Sequence, residues 1–260
     1  MSENESKIIM ITGATSGIGV AVIREFLSLY SGCYFILVSR NRKRMRERIE
    51  SDSDIKDRIR YEIVETDLCD LHKSEEILEP RIREKGRVDI LVNVAGGFIS
   101  KPFVETEAED FYQLVMSNMF TVFVSCRTVL PFMLNQRFGS IVNVGSVLGL
   151  RSLRDTRCSV YGSVKSAVVH LTRLLSVEYG GYNIRVNCVC PGILNPVEGA
   201  GEGSYEAYRK LNGMNHYLGE QPLKWFGSSS DVAKAIVFLA GEQSGWTTGE
   251  IMCVDGGTGL

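Results

Sequence analysis

The sequence predicts an α/β fold in one domain: a doubly wound parallel sheet with helices on both faces. Three observations carry this. Short apolar runs alternate several times with longer amphipathic segments, the rhythm of strands joined by crossover helices, broken only from about 195 to 227. The apolar runs suit strands covered on both faces. No Pro/Ser-rich linker divides the chain, although its length alone would equally fit two small domains.

In chain order, strands are expected near 7–12, 34–39, 60–65, 89–93, 140–145, 184–189 and 250–254. Helices are expected near 18–30, 42–51, 72–84, 108–135, 160–180 and 230–240. Directly after the first strand stands Thr12-Gly13-Ala14-Thr15-Ser16-Gly17-Ile18-Gly19, a turn that opens the first helix. Its glycines let the backbone turn sharply and approach a pyrophosphate, whose charge meets free N–H groups and the positive end of the helix. The second strand ends Leu37-Val38-Ser39-Arg40, without a carboxylate. An acid there would accept hydrogen bonds from both hydroxyls of an adenosine ribose and repel a 2′-phosphate. Small Ser39 and cationic Arg40 instead favour NADP(H) over NAD(H). Lys43, Arg44, Arg46 and Arg48 continue the basic run and read as a solvated helix face.

The long helix near 108–135 carries Asn118, and the fifth strand, Ile141-Val142-Asn143-Val144, leads to Ser146. The helix near 160–180 has apolar residues at helical spacing, for example Ala167, Leu171, Leu174 and Leu175. It begins with Tyr161-Gly162-Ser163-Val164-Lys165, so a phenol and an ammonium share one helix face one turn apart. Reducing a ketone by hydride transfer builds negative charge on oxygen, which must be protonated. A tyrosine with its ordinary pKa of about 10 is a sluggish acid at neutral pH, and a neighbouring cation lowers that value by favouring the phenolate. Ser146 can donate to the same carbonyl oxygen. Taken alone, Tyr161 and Lys165 also read as an exposed helical pair without chemistry.

Composition narrows the function. Lysine plus arginine number 29 against 31 aspartate plus glutamate, a net charge of −2, so no global basic field is available to hold nucleic acid or an anionic membrane. The seven cysteines, at 33, 69, 126, 158, 188, 190 and 253, show no paired spacing with the histidines at 72, 170 and 216. A disulfide framework and a metal site are therefore not expected, and the thiols read as small core residues in a reducing compartment. The polar start MSENESK is unlike a signal peptide, and no apolar run approaches about 20 residues. A cytoplasmic protein is expected.

In order and context these motifs resemble the short-chain dehydrogenase/reductase family, over nearly the whole chain from residue 7 to about 257. The resemblance implies one Rossmann-type domain with a seven-stranded sheet and a homo-oligomer, tetramer or dimer. It implies a catalytic tetrad of Asn118, Ser146, Tyr161 and Lys165. In it Tyr161 is the acid in reduction and the base in oxidation, and Ser146 orients the carbonyl. Lys165 holds the nicotinamide ribose and lowers the pKa of Tyr161, while Asn118 anchors a water that replenishes the proton. Cofactor contacts are implied at Gly13, Thr15, Ser16, Gly17, Ile18 and Gly19, at Ser39 and Arg40, and at Asp67 and Leu68 beside the adenine. They continue in Asn93-Val94-Ala95-Gly96, whose Asn93 ties neighbouring strands and whose Ala95 and Gly96 let the backbone pass the cofactor. Tyr161, Lys165 and the turn Pro191-Gly192-Ile193 complete the set. Thr248-Gly249-Glu250 and Val254-Asp255-Gly256-Gly257 match further on.

The sequence departs from the family in three places. Val94 replaces the second Asn of the N-N-A-G motif, and Pro196 stands where a threonine commonly bonds the nicotinamide carboxamide. Ser146 and Tyr161 are fifteen positions apart, about two more than the family spacing, so the loop from Gly149 to Ser159 carries an insertion. Arg151, Arg154 and Arg157 recur in that loop, read either as capture of an anionic or carrier-protein substrate or as solvated loop charges. The segment from about 195 to 227 is expected to be a mobile substrate-binding loop. Its Tyr205, Tyr208, Met214, His216, Tyr217, Leu218, Trp225 and Phe226 suggest a large or hydrophobic substrate, with no catalytic part for His216. The expected function is an NADPH-dependent oxidoreductase acting on a ketone/secondary alcohol pair. A 3-oxoacyl-[acyl-carrier-protein] reductase is the alternative, and a non-catalytic NADP(H)-sensing protein a distant one.

Overall fold

The computed structural model describes residues 7–153, 156–195, 221–258 and 260. Pro196, Arg154 and most of the aromatic residues expected in the 195–227 segment lie outside them, up to residue 220. Among the described residues, seven strands form one parallel sheet. They are β1 (Ile8–Thr12), β2 (Tyr34–Ser39), β3 (Arg60–Glu65), β4 (Ile90–Asn93), β5 (Gly139–Val144), β6 (Ile184–Pro191) and β7 (Ile251–Val254). Their order is β3-β2-β1-β4-β5-β6-β7. The winding reverses between β1 and β4, and ligands of such sheets bind in the crevice that this reversal opens at the strands' carboxyl ends.

Every expected element is present, with ends within two residues of the sequence reading. The helices are α1 (Gly17–Leu29), α2 (Arg42–Glu50), α3 (Leu71–Lys85), α4 (Ala108–Leu114), α5 (Thr121–Gln136), α6 (Ser159–Tyr179) and α7 (Ser229–Ala240). Alternation along the strands separates two cores. Ile9, Ile11, Phe35 and Leu37 pack with apolar residues of α1 and α7. Met10, Ile36, Leu91 and Ile141 pack on the other face with those of α3, α5 and α6. Each of these side chains is fully or almost fully buried, worth roughly 1.5–3 kcal/mol apiece relative to exposure.

Two features differ from the sequence reading. The helix expected over 108–135 is interrupted by a π-helical turn, Val115–Phe120, in which the Thr121 N–H reaches back five residues to the Met116 carbonyl. Such a turn re-aims side chains, and this one carries Asn118. The stretch Ala108–Gln136 has the length and composition to cross a membrane, yet 56% of its apolar window is buried in the domain, as in a core helix. Helix α6 presents the second difference. Its buried face is Val164, Lys165, Val168, Val169, Thr172 and Ser176, whereas Ala167 and Leu174 point outward. The apolar spacing chosen from the sequence straddles two faces of the helix.

A chain of buried polar groups runs beneath the crevice. Thr12, Asn93 and Asn143 lie abreast on β1, β4 and β5. Asn93 Nδ2 donates to Asn143 Oδ1 at 2.9 Å, and Asn143 Nδ2 donates to Thr172 Oγ1 on α6 at 2.9 Å. Ser125 Oγ donates to Asn93 Oδ1 at 2.6 Å. Fully satisfied networks of this kind fix the register of what they join, here three strands, α5 and α6. Asn93 thus ties neighbouring strands as expected.

Candidate active site

The crevice begins at the turn between β1 and α1. Ser16 caps the helix, its Oγ accepting from the Gly19 N–H at 3.0 Å. The N–H groups of Gly17 and Ile18 have no intrahelical partner by position, and both residues line the cavity above them. Gly13 adopts φ +64°, and a Cβ there would lie 2.6 Å from the Ala95 backbone nitrogen. Gly19 is equally tight, since a Cβ there would lie 2.7 Å from Ala14 Cα in the same turn. Only glycine allows this turn to pass so close to the end of β4. The thirteen-residue helix with its bare N-terminus and glycine cradle fits the pyrophosphate of a dinucleotide.

A cavity of about 360 Å³ continues from this turn across the ends of β4, β5 and β6. Asn118, Ser146, Tyr161 and Lys165 all line it, together with Ser16, Gly17, Ile18, Gly96 and the turn Pro191-Gly192-Ile193. The helix α6 places Tyr161 and Lys165 one turn apart, with the Lys165 Nζ 5.8 Å from the centre of the tyrosine ring. Lys165 is 5% exposed, and its Nζ donates to the Val144 carbonyl at 2.9 Å. Burial pushes its ammonium down to about 8. Beyond it on β6, the Cys188 and Cys190 thiols lie 3.8 Å apart. Hydrogen bonding between them holds Cys188 below the usual thiol value and Cys190 above it.

Ser146 is held at the end of β5, where its Oγ accepts from the Leu148 N–H at 3.2 Å. Asn118 is anchored by its amide nitrogen, which donates to the Leu114 carbonyl at 2.9 Å and the Gly97 carbonyl at 3.0 Å. Its Oδ1 is buried and accepts no hydrogen bond among the described residues. A Cβ on Gly96 would lie 2.8 Å from that oxygen and 3.6 Å from Lys165 Nζ, so both polar atoms converge on the backbone at Gly96. An orphaned acceptor beside a buried ammonium suits a site built around polar atoms supplied from outside the chain.

Other expected cofactor residues lie outside this cavity. Ser39 and Arg40 stand at the end of β2, Ser39 bonded to the Asn41 N–H at 3.1 Å and Arg40 exposed. Asp67 is exposed and accepts from the Cys69 N–H at 3.1 Å. The side chain of Leu68 packs in the core, so any part it plays at the cofactor falls to its backbone. Thr15 is half-buried in the glycine turn. The carboxylate that β2 lacks arrives from its neighbour: Glu65 of β3 is in register with Ser39, and accepts from the Arg42 N–H at 3.3 Å. The sequence reading missed this because Glu65 and Ser39 meet only through the sheet.

It also missed Phe98, Leu148, Leu153, Thr156 and Cys158, which line the cavity from two loops. The Phe98 ring stands edge-on to Tyr161 at 5.0 Å. Its position two residues after Gly96 was the only available signal. The loop arginines divide. Arg151 is bonded within the fold to Asp255 and the Thr258 carbonyl, which matches neither of its readings, as a substrate anchor or as a solvated loop charge. Arg157 is exposed, with φ +46°. The seven cysteines are free thiols, and burial pushes Cys33 up to about 11 and Cys126 up to about 12, as in inert core residues.

A dinucleotide cradle at the switch point of a parallel sheet, opening on a tyrosine and a buried lysine, belongs to an oxidoreductase that works with a nicotinamide cofactor. Residues 13–259 match the family model described as Enoyl-(Acyl carrier protein) reductase, and the chain belongs to the short-chain dehydrogenase/reductase family. It is 32% identical to a 7alpha-hydroxysteroid dehydrogenase of Bacteroides fragilis, over 99% of this chain and 96% of that one. The fold matches the structure of ElxO with NADP bound at a TM-score of 0.85 and 30% identity, covering 98% of this chain and 99% of that one. It also matches a 3-oxoacyl-[acyl-carrier protein] reductase with bound NAD from Brucella melitensis at a TM-score of 0.81 and 25% identity, covering 99% and 93%.

Proposed function

We propose that the protein is an NADPH-dependent carbonyl reductase or alcohol dehydrogenase acting on a ketone/secondary alcohol pair, with Tyr161 as the general acid/base. The observation that carries this is the convergence of Ser146, Tyr161 and Lys165 on one cavity beside the glycine turn. Bound there, the nicotinamide supplies or accepts the hydride. The Gly13–Gly19 turn and Gly192 hold the cofactor, and the Ser146 hydroxyl donates to the substrate oxygen. Tyr161 gives that oxygen its proton in reduction and removes it in oxidation. The Lys165 ammonium favours the tyrosine's phenolate and would hold the cofactor ribose. Asn118 holds the proton supply through its buried Oδ1. Phe98, Leu148, Leu153 and Ile193 give the cavity an apolar wall, beside the polar Thr156, Asn195 and Ser229, which suits a ketone with an apolar body.

Cofactor choice rests on Arg40, which is exposed at the end of β2 where a 2′-phosphate would lie. NAD(H) is the second reading, supported by Glu65 abreast of Ser39 and by the NAD-bound relative. Absorbance assays with NADPH and NADH over ketones, diketones, steroids, quinones and an acetoacetyl thioester test both reaction and cofactor. NADPH is expected to give the higher kcat/KM, and Arg40→Ala to cut that preference by roughly tenfold or more through the lost phosphate contact. Equal use of the two cofactors by the unaltered protein would sink the assignment to Arg40. A thioester preferred over every free ketone would shift the reading to the 3-oxoacyl-[acyl-carrier-protein] reductase.

A cytoplasmic homo-oligomer, dimer or tetramer, belongs to the same proposal. Free thiols at all seven cysteines support a reducing compartment. Supporting assembly, α6 turns Leu174 and Val177 outward, the latter 84% exposed, and Trp246 is fully exposed. Sedimentation velocity at micromolar concentration is expected to show a mass at least twice the 28.9 kDa of one chain, and a monomer throughout would remove this part.

A further inference from the structure

The strands fix Ser146 and the Pro191-Gly192-Ile193 turn, but the wall that carries Leu148, Leu153, Thr156 and Cys158 is a loop that begins with a short 3-10 turn, Val147–Gly149. Ser166 Oγ holds its Gly149 carbonyl at 2.6 Å and Ser100 Oγ its Thr156 carbonyl at 3.1 Å, and on the side of the C-terminal turn it is held by Arg151. The Arg151 Nη1 donates to Asp255 Oδ2 at 3.1 Å and to the Thr258 carbonyl at 2.6 Å. The Arg151 side chain is 29% exposed and that of Asp255 9%, so the pair is shielded from solvent and from salt more than a surface ion pair.

The acceptors of this bond sit on a turn, Asp255–Thr258, that also holds the other walls. Gly192 lies against it so closely that a Cβ would stand 2.6 Å from Asp255 Cα, and the Gly192 N–H donates to the Val254 carbonyl at 2.9 Å. Thr258 Oγ1 donates to Gln221 Oε1 at 2.9 Å, and the Gln221 amide nitrogen donates to the Leu223 and Trp225 carbonyls. The segment so gathered runs on to Gly227, whose carbonyl accepts from the Asn195 N–H at 2.8 Å on the cavity's far side. Three walls therefore meet at one turn, and Arg151 is the side chain that joins the first of them to it.

We propose that Arg151 is a positioning residue for substrate, acting through the Asp255–Thr258 turn without touching substrate. It sets the spacing between the loop carrying Leu153 and the turn carrying Ile193, and so the width of the cavity in which the ketone is held. This rests on reading the cavity as a ketone/alcohol site. It also explains why an arginine in that loop is not available as a docking charge.

The test compares Arg151→Met, Arg151→Lys, Asp255→Asn and the double variant Arg151→Met/Asp255→Asn in the full chain. Arg151→Met is expected to raise the KM for the best ketone about five- to tenfold, with kcat within about twofold and the cofactor KM unchanged. Arg151→Lys recovers part of that loss, and the double variant is no worse than the poorer single one, because the two side chains act as one unit. Hydrogen exchange supplies a readout without turnover: amides of 148–153, 156–158 and 221–227 exchange faster in Arg151→Met, while those of β5 and α6 keep their protection. Unchanged KM in a folded Arg151→Met protein, or additive losses in the double variant, would overturn the proposal. So would exchange that rises evenly over the chain, including in Arg151→Lys. If the unaltered protein reduces no ketone, the proposed function fails, and the exchange pattern still decides whether Arg151 pins the loop.

Discussion

Tyr161→Phe is expected to lower ketone reduction by about three orders of magnitude while leaving cofactor binding intact. Positioned proton transfer contributes typically about 10²–10⁴-fold, and this substitution removes the hydroxyl to which the proposed function assigns it. The phenylalanine ring keeps the edge-on contact with Phe98, so the cavity wall and the helix α6 are preserved. Two measurements separate the effects: initial rates followed by NADPH absorbance, and a fluorescence titration of NADPH against the variant. A Tyr161→Phe protein with more than about a tenth of the original rate would mean that another group donates the proton. Loss of binding together with rate would mean instead that Tyr161 serves mainly to hold the cofactor.

The second large effect sets activity against stability at Lys165. The fold buries this ammonium almost completely, and burial pushes it down to about 8 from the usual lysine value of 10.5. Below pH 8 the group is charged both folded and unfolded, and the cost of burying the charge is fully present. Between 8 and 10.5 the unfolded chain holds a proton that the folded one does not, so this group's contribution to stability rises with pH. Above 10.5 both states are neutral and the cost is gone. The cost at neutral pH is about 3 kcal/mol, taking about 1.36 kcal/mol per pH unit of displacement.

Lys165→Met removes that cost and loses the hydrogen bond to the Val144 carbonyl, worth about 1 kcal/mol. The variant is therefore expected to be more stable than the unaltered protein at pH 7, by about 2 kcal/mol in urea unfolding, and about a hundredfold or more less active. Its advantage should shrink between pH 8 and 10.5. An advantage that grows over that range, or a variant less stable at pH 7, would show that the ammonium is well compensated by the groups around it. A protein that keeps such a lysine accepts instability for chemistry, which is the usual relation at active sites.

Most of the fold was legible in the sequence because its signals are local. Apolar runs such as Ile36-Leu37-Val38 and Ile141-Val142 suit strands covered on both faces, and Ser16, Asn41 and Ser228 cap the helices that follow them. The approach of Tyr161 to Lys165, and of Ser146 to a strand end, was legible for the same reason, whereas the placement of Asn118 was not. Tyr161 and Lys165 are one helical turn apart by spacing alone, and Ser146 follows a strand end. Spacing did not locate the outward face of α6, since Ala167 and Leu174 fit a 3.6-residue period as well as Val168 and Val169 do, and only contact with β5 and β6 separates them.

Residues adjacent in the chain, or one helical turn apart, were thus enough to specify the strands, the glycine turn and the Tyr161–Lys165 pair on one helix face. Contacts between distant segments settled the rest. They aimed Asn118 through a π-helical turn that no residue pattern announces, and brought Glu65 beside Ser39. They took Arg151 out of the substrate's reach by giving it to Asp255, more than a hundred residues away. Those outcomes follow from which surfaces the folded sheet brings together, and such pairings are set by the packing of the whole domain, not by sequence near either partner.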